Sequence, residues 1–438
     1  MARTIDSVAV FGAGTMGSGI AAVCAEAGVP VLLLDMSKDL ADQGLARIIA
    51  TLPGDVDGAA IAAQITTGSF ADDLGRIATI DWMCEAIVEN LAAKRGLLDR
   101  VEPLRHPGSI VTTNTSGIPL HDLAQGQPAR LRRDLAVTHF FNPVRIMKLV
   151  ELVAGTDTDP ETIESLAHFF RDRLGKGVVH AKDTVNFIGN RIGCYWILSG
   201  FHIAKPFLGQ GLNQETIDAL MGAPVGLPAT GLYGLADLIG LDVMALIARN
   251  LAANLPADDP GLAVTSLPPA EAGMLERGQF GRKSGGGFTR VSRNPDGSRS
   301  REVFDLTTET WRPAQPVQLH APHTDAASLL FADDPAGHFA WTLLGGTLLY
   351  AADLVPAIAD DIVNIDRAMR WGFNWRQGPF ELLDLLGPDR VIARLEHEGR
   401  HVPSLLQTLR DAGVSTFYRN DGSEFLGRDG AFHRVPSV

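Results

Sequence analysis

Two hydrophobic rhythms divide the chain. Up to residue 183, short apolar runs alternate with stretches of helical period. The runs are VAVF (8–11), VLLL (31–34), AIVE (86–89), IVTT (110–113), LAVTHF (135–140) and KLVELV (148–153); the helical stretches include 15–27, 38–50, 91–103 and 161–174. Strands alternating with helices predict a mostly parallel sheet wrapped by helices. Pro160 and Gly175 bracket the last of these helices, the expected asymmetry of start and stop. From residue 184 the pattern changes to long apolar helical stretches: 187–205, 214–221, 235–253, 338–356, 361–370 and 380–397. Residues 291–330, rich in Ser, Thr, Pro and His, have little periodicity and read as a linker. The expectation is an α/β domain over 1–183, all-α modules over 184–290 and 331–438, and a linker between the two modules.

The helical part repeats itself. Ile217, Asp218 and Met221 match Ile365, Asp366 and Met369 at an offset of 148. Asp237, Leu238 and Gly240 match Asp384, Leu385 and Gly387 at an offset of 147. The common order and near-constant offset predict two related copies of one helical module.

Net charge is −13, which argues against a general nucleic-acid binder. Cys24, Cys84 and Cys194 are far apart, so no disulfide framework is readable and a reducing compartment is the default. The most apolar stretches, 187–204 and 341–358, are interrupted by Asn190, Arg191 and His202 and by Asp353 and Pro356, so neither is read as a membrane span. With no export signal ahead of VAVF, the expected location is the cytoplasm. No metal site is expected.

The strongest local signal is Gly12-Ala13-Gly14-Thr15-Met16-Gly17, a GxGxxG between a strand and a helix, with Asp35 ending the next strand. This is the fingerprint of a Rossmann dinucleotide loop. Gly12 permits the tight turn, Gly14 lets a pyrophosphate approach, and Gly17 allows helix to pack on strand. The helix N-terminus offers N–H groups and partial positive charge to the anion. Asp35 can accept from a ribose 2′-hydroxyl and would repel a 2′-phosphate, so the expected cofactor is NAD, with FAD the main rival.

His139 ends one strand and Glu151 lies twelve residues on, across a short connection at 143–147. That spacing can set the two side by side. A carboxylate on one imidazole nitrogen would leave the other free to take a proton. The plainer reading is a satisfied core histidine; the dinucleotide loop in the same domain shifts the balance toward a base. Asn114 and Ser116 follow the strand IVTT, at the sheet edge where α/β proteins bind ligands; turn formation is their plain alternative. Val88-Glu89-Asn90 is expected to end another strand, with Lys94 one turn into the next helix.

Taken together, the sequence resembles the 3-hydroxyacyl-CoA dehydrogenases over nearly its whole length. GAGTMGSGIA, EAIVEN, TTNTSGIP, THFFNP, LVELVAG, NFIGNRI and GRKSGGGF occur in that family's order. Val144 departs from it, standing where many relatives have a second proline. The doubled helical part resembles the dehydrogenase portion of bacterial multifunctional β-oxidation proteins. The resemblance implies NAD-dependent oxidation of (S)-3-hydroxyacyl-CoA to 3-oxoacyl-CoA. It implies His139 as general base, Glu151 as its partner, and Ser116 and Asn190 as substrate contacts. Gly12, Gly14, Met16, Gly17, Asp35, Ile87, Val88, Glu89, Lys94, Asn114, Ser116 and Asn142 would line the NAD site. His338 stands where the second copy would need its Asn190, so that copy is expected to be structural or an interface. No hydratase-like domain follows, so the chain is either a monofunctional relative or part of a longer protein.

Two other readings stay open: a related dehydrogenase of a small hydroxy acid without CoA, and a non-catalytic NAD-binding subunit. An acyl-CoA is the expected partner, with a homodimer or association with other β-oxidation enzymes as the default assembly.

Overall fold

The computed structural model describes residues 3–293 and 299–437. The chain divides into two compact units, Met1–Ile188 with Ala357–Asp360 and Pro436–Val438, and Gly189–Pro356 with Asp361–Val435.

The first unit is built on an eight-stranded sheet. Its strands are β1 (Val8–Phe11), β2 (Val31–Asp35), β3 (Ile65–Ser69), β4 (Trp82–Glu85), β5 (Ile110–Thr113), β6 (Leu135–Phe140), β7 (Leu149–Ala154) and β8 (Gly177–Ala181). Their order is β3-β2-β1-β4-β5-β6-β7-β8. The strands from β3 to β6 run parallel, β7 runs antiparallel to β6, and β8 is parallel to β7. The reversal of order between β1 and β4 is the switch point of a doubly wound fold. β1 and β4 to β6 are buried on both faces, as the central strands of a sheet covered by helices on both sides are, and the Glu, Thr and His that they carry are buried with them.

The run AIVE at 86–89 is not a strand. The strand lies four residues earlier, at WMCE, and Val88 is 70% exposed. A glutamate by itself marks a solvated position. Inside the fold the charge of Glu85 is neutralised by Lys94, so it sits buried within the strand.

The second unit is mainly helical. Two of the expected long helices break, at Gly240 (φ 102) and at Gly387 (φ 83), giving Gly231–Ile239 with Leu241–Asn254 and Pro379–Leu386 with Pro388–His397. Both breaks fall at the repeated glycine, in a backbone region that disfavours a Cβ. The repeated acids also match in role. Asp218 accepts from the N–H groups of Tyr233 and Gly234, and Asp366 from those of Phe380 and Glu381. Asp237 accepts from Phe288 and Thr289, Asp384 from Phe417 and Tyr418. A Cβ on Gly231 would come within 2.3 Å of the Asp218 Cα, and one on Gly378 within 2.3 Å of the Asp366 Cα. The two copies therefore share their buried hydrogen-bonding scheme, not merely a few letters.

The linker expected at 291–330 contains regular structure among its described residues. Thr289–Arg293, Arg299–Asp305 and Thr310–Pro313 form an antiparallel three-stranded sheet with Val303 and Phe304 buried. A second small sheet joins Tyr418–Arg419, Glu424–Leu426 and Phe432–Arg434, so the region is not all-α. Short strands with one solvated face, rich in Arg, Ser and Thr, leave too little apolar alternation to read. Among the described residues, no single helix is long and apolar enough to cross a membrane.

Candidate active site

The glycine loop connects β1 to the helix Thr15–Glu26. Gly12 has φ 99, and a Cβ there would lie 2.6 Å from the Ala86 carbonyl oxygen. A Cβ on Gly17 would lie 1.8 Å from the Gly12 oxygen, so only glycine lets the helix sit this close. Gly14 is different: nothing lies within 4 Å of a Cβ placed on it. Gly14 also caps the helix with no side-chain hydrogen bond. The space beside Gly14 is thus open at a helix start whose N–H groups carry partial positive charge, which fits a bound pyrophosphate. Met16 is half-buried against the core.

Asp35 braces the same loop. Its Oδ2 accepts from Ala13 N–H at 2.6 Å and its Oδ1 from Met36 N–H at 2.6 Å. Each carboxylate oxygen keeps a second acceptor position for ribose hydroxyls. Arg47, from the following helix, donates to the Ala13 carbonyl and stiffens the loop from behind.

Where β4 and β5 end, a buried ion pair fixes the next loops. Lys94, 1% exposed, donates to both oxygens of Glu85 at 2.8 Å. Glu85 also accepts from Ile87 N–H (2.7 Å) and the Thr113 hydroxyl (2.6 Å). Glu89 lies 3.2 Å from Lys94 and accepts from the Thr115 hydroxyl and from Ser116 and Gly117 N–H. Burial pushes the Glu89 carboxyl up, but the Lys94 ammonium and these donors outweigh it and hold it below the usual glutamate range. Ser116 is therefore carried on a loop that Glu89 ties down. Asn114 accepts from Phe140 N–H at 2.9 Å, linking the β5 loop to β6. Glu85, Thr113 and Thr115 were not singled out from sequence; a glutamate ending a buried strand nine residues before a helical lysine was the available signal.

His139 and Glu151 are directly paired across the antiparallel β6–β7 ladder. Directly opposed residues project to the same face, and the His139 Nδ1 lies 2.6 Å from the Glu151 Oε2. Both side chains are buried. A carboxylate only accepts, so Nδ1 carries the proton and the Nε2 lone pair is free. Glu151 Oε1 accepts from Ile188 N–H at 2.9 Å. Between ring centroids, the imidazole meets Phe141 edge-on at 4.8 Å and a tilted Phe187 at 5.6 Å.

The remaining candidates are less engaged. Asn142 is exposed on the loop after β6 and Ile87 is half-buried. Asn190 belongs to the other unit, as the second residue of the helix Gly189–Ala204, and is half-buried. The neighbouring Arg191 is committed to structure, pairing with Asp259 and donating to the Tyr350 hydroxyl.

Residues 7–184 match the 3-hydroxyacyl-CoA dehydrogenase NAD binding domain family, and residues 187–291 and 337–415 match the C-terminal domain family of the same enzymes. A Bacillus subtilis protein named a probable 3-hydroxyacyl-CoA dehydrogenase is 34% identical over 468 residues, covering 99% of this chain and 58% of its own length. A Rickettsia felis protein named for a fatty acid oxidation complex trifunctional enzyme is 35% identical over 398 residues, 89% of this chain and 54% of its own. The chain thus spans little more than half the length of these relatives. The crystal structure of a 3-hydroxybutyryl-CoA dehydrogenase from Escherichia coli aligns with a TM-score of 0.72 at 25% identity, over 94% of this chain and 100% of that one.

Proposed function

The chain belongs to the 3-hydroxyacyl-CoA dehydrogenase family, and from that footing we propose that it oxidises (S)-3-hydroxyacyl-CoA to 3-oxoacyl-CoA with NAD, as a step of fatty-acid β-oxidation in the cytoplasm. The observation that carries the reading is the His139–Glu151 pair at the carboxyl edge of a sheet whose switch point holds a glycine elbow. Bound there, NAD would supply the hydride acceptor. His139 Nε2 takes the proton of the 3-hydroxyl as hydride leaves the same carbon, and Glu151 stabilises the imidazolium that forms. Ser116 and Asn190 are the residues assigned to the substrate oxygen. Gly12, Gly14, Met16, Gly17 and Asp35 are assigned to the dinucleotide, with Ile87, Val88, Glu89, Lys94, Asn114 and Asn142 shaping the rest of its cleft. The same reading takes 1–183 as the NAD-binding domain, 184–290 as the first C-terminal module, 291–330 as a linker and 331–438 as the diverged copy of that module. Partner subunits of the same pathway fit the trifunctional name carried by the Rickettsia relative.

The test follows NADH absorbance with short, medium and long 3-hydroxyacyl-CoA and with the corresponding free acids. Turnover of the thioesters supports the reading. Turnover of the free acids alone favours a small hydroxy-acid dehydrogenase, and NADH binding with no turnover favours a non-catalytic subunit.

A further inference from the structure

We propose that Asn186 is a further substrate-binding residue of this site, its side-chain amide donating to the thioester carbonyl oxygen of the acyl group. The inference rests on the acyl-CoA reading above and adds the group that would recognise the thioester. Asn186 lies in the turn between β8 and residue 189 and is 3% exposed. Its Nδ2 meets no hydrogen-bond partner among the described residues, and neither does the Thr184 hydroxyl two residues earlier. Folded chains rarely leave a buried amide donor unpaired, because its lost hydration is then unrecovered.

The place of this donor gives it meaning. The two residues that follow it both touch the dyad. The Phe187 ring stands 5.6 Å from the His139 ring, and Ile188 N–H donates to Glu151. The backbone there is held in a costly shape: Asn186 has φ 60 and Phe187 φ 52, two successive non-glycine residues in the left-handed region. Such conformations persist where surrounding structure over-determines them, often at ligand sites. A 3-hydroxyacyl thioester offers the dyad its hydroxyl. Its one strong acceptor left over is the thioester carbonyl, two bonds from the carbinol carbon. A donor on the residue that directly precedes these two contacts can take that oxygen and fix the rotation of the acyl group, so that the carbinol hydrogen stays aligned for transfer.

The left-handed backbone makes the test clean, since glycine adopts φ 60 without cost. The full-length Asn186→Gly protein is assayed with 3-hydroxybutyryl-CoA and 3-hydroxydecanoyl-CoA, alongside its thermal midpoint. We expect kcat/KM to fall about ten-fold, by the same factor for both chain lengths because the thioester is common to them. KM for NAD and the thermal midpoint should hold. Asn186→Asp, which replaces the donor by an acceptor, should lose at least as much at pH 8 and stands in if the glycine variant misfolds. Parental kcat/KM within two-fold in both variants overturns the proposal, and so does a lowered midpoint with unchanged kcat/KM, the signature of a donor that serves a buried water. A parent inactive on every acyl-CoA overturns the proposed function itself, and this inference with it.

Discussion

Glu151→Gln offers the sharpest test of the dyad, because the fold dictates how the glutamine must sit. In the parent, Oε1 accepts from Ile188 N–H and Oε2 faces His139 Nδ1. A glutamine has one oxygen and one NH2. If the NH2 faced Ile188, two donors would meet inside a buried site, so the oxygen stays there and the NH2 turns to His139. Nδ1 must then accept, which moves the imidazole proton to Nε2 and removes the lone pair that would take the hydroxyl proton. The variant keeps shape, volume and the Ile188 bond, yet presents the wrong tautomer. Positioned general-base catalysis contributes roughly 10²–10⁴-fold, and the analogous acid-to-amide change in a Ser-His-Asp triad costs about 10⁴ in kcat. We therefore expect kcat to fall by about 10³ to 10⁴ at pH 8, with NADH affinity by fluorescence titration within two-fold of the parent. A Glu151→Gln protein that keeps more than a tenth of parental kcat refutes the tautomer argument.

Two further predictions concern the charges that support the site and the fold. Lys94→Met leaves Glu85 buried without its cation and should cost about 3–5 kcal/mol in urea unfolding, the usual toll for breaking one side of a buried pair; a loss below about 1 kcal/mol would mean the pair holds nothing together. The repeat acids set a pH dependence: burial, opposed by two backbone N–H donors, pushes the Asp218 carboxyl up to about 7, and burial likewise pushes Asp384 up to about 6. The folded state then binds more protons than the unfolded chain between about pH 4 and 7, so this contribution to stability falls as pH rises through that window and is flat above it. The thermal midpoint should rise as pH drops from 8 to 5.5, and Asp218→Asn should flatten the slope; an unchanged slope would assign the dependence elsewhere.

The parts of this protein that were legible in its sequence are those where backbone geometry forces residue choice. The glycine elbow reads plainly because three positions tolerate no Cβ or must stay open to a ligand. The His139–Glu151 contact reads because a short reversal between two apolar runs sets an antiparallel register, and twelve residues then place the pair opposite each other. The strand at 82–85 failed to read because Glu85 signals solvent until its partner Lys94 is known, and that partner is a tertiary fact. The break at Gly240 was hidden because apolar residues continue across it, and only its φ of 102 turns one expected helix into two. At Gly387 (φ 83) the Pro388 that follows is a stop-and-start signal that the apolar period on either side masks. The strands Thr289–Arg293, Arg299–Asp305 and Thr310–Pro313 bury few side chains and carry no alternation strong enough to separate them from a polar loop.

The loops at the carboxyl edge of the sheet are held by carboxylates more than by apolar packing, and this explains how exposed, irregular segments can present fixed chemistry. Glu85 joins the β4 loop, Lys94 and Thr113. Glu89 joins Lys94 to Thr115, Ser116 and Gly117. Glu151 joins His139 to Ile188. Loop backbone in such places has N–H groups that no ladder satisfies, and one carboxylate can take several of them in short, charge-assisted bonds. An apolar side chain in the same position would bury area but leave those donors unpaired and the loop free to shift. Since a misplacement of about 1 Å at a reacting centre can cost 10²-fold in rate, the acids earn their desolvation by fixing direction: each points a neighbouring donor, ring or hydroxyl one way. On this view Glu89 matters to Ser116 as Glu151 matters to His139, although one tie is exposed and the other buried.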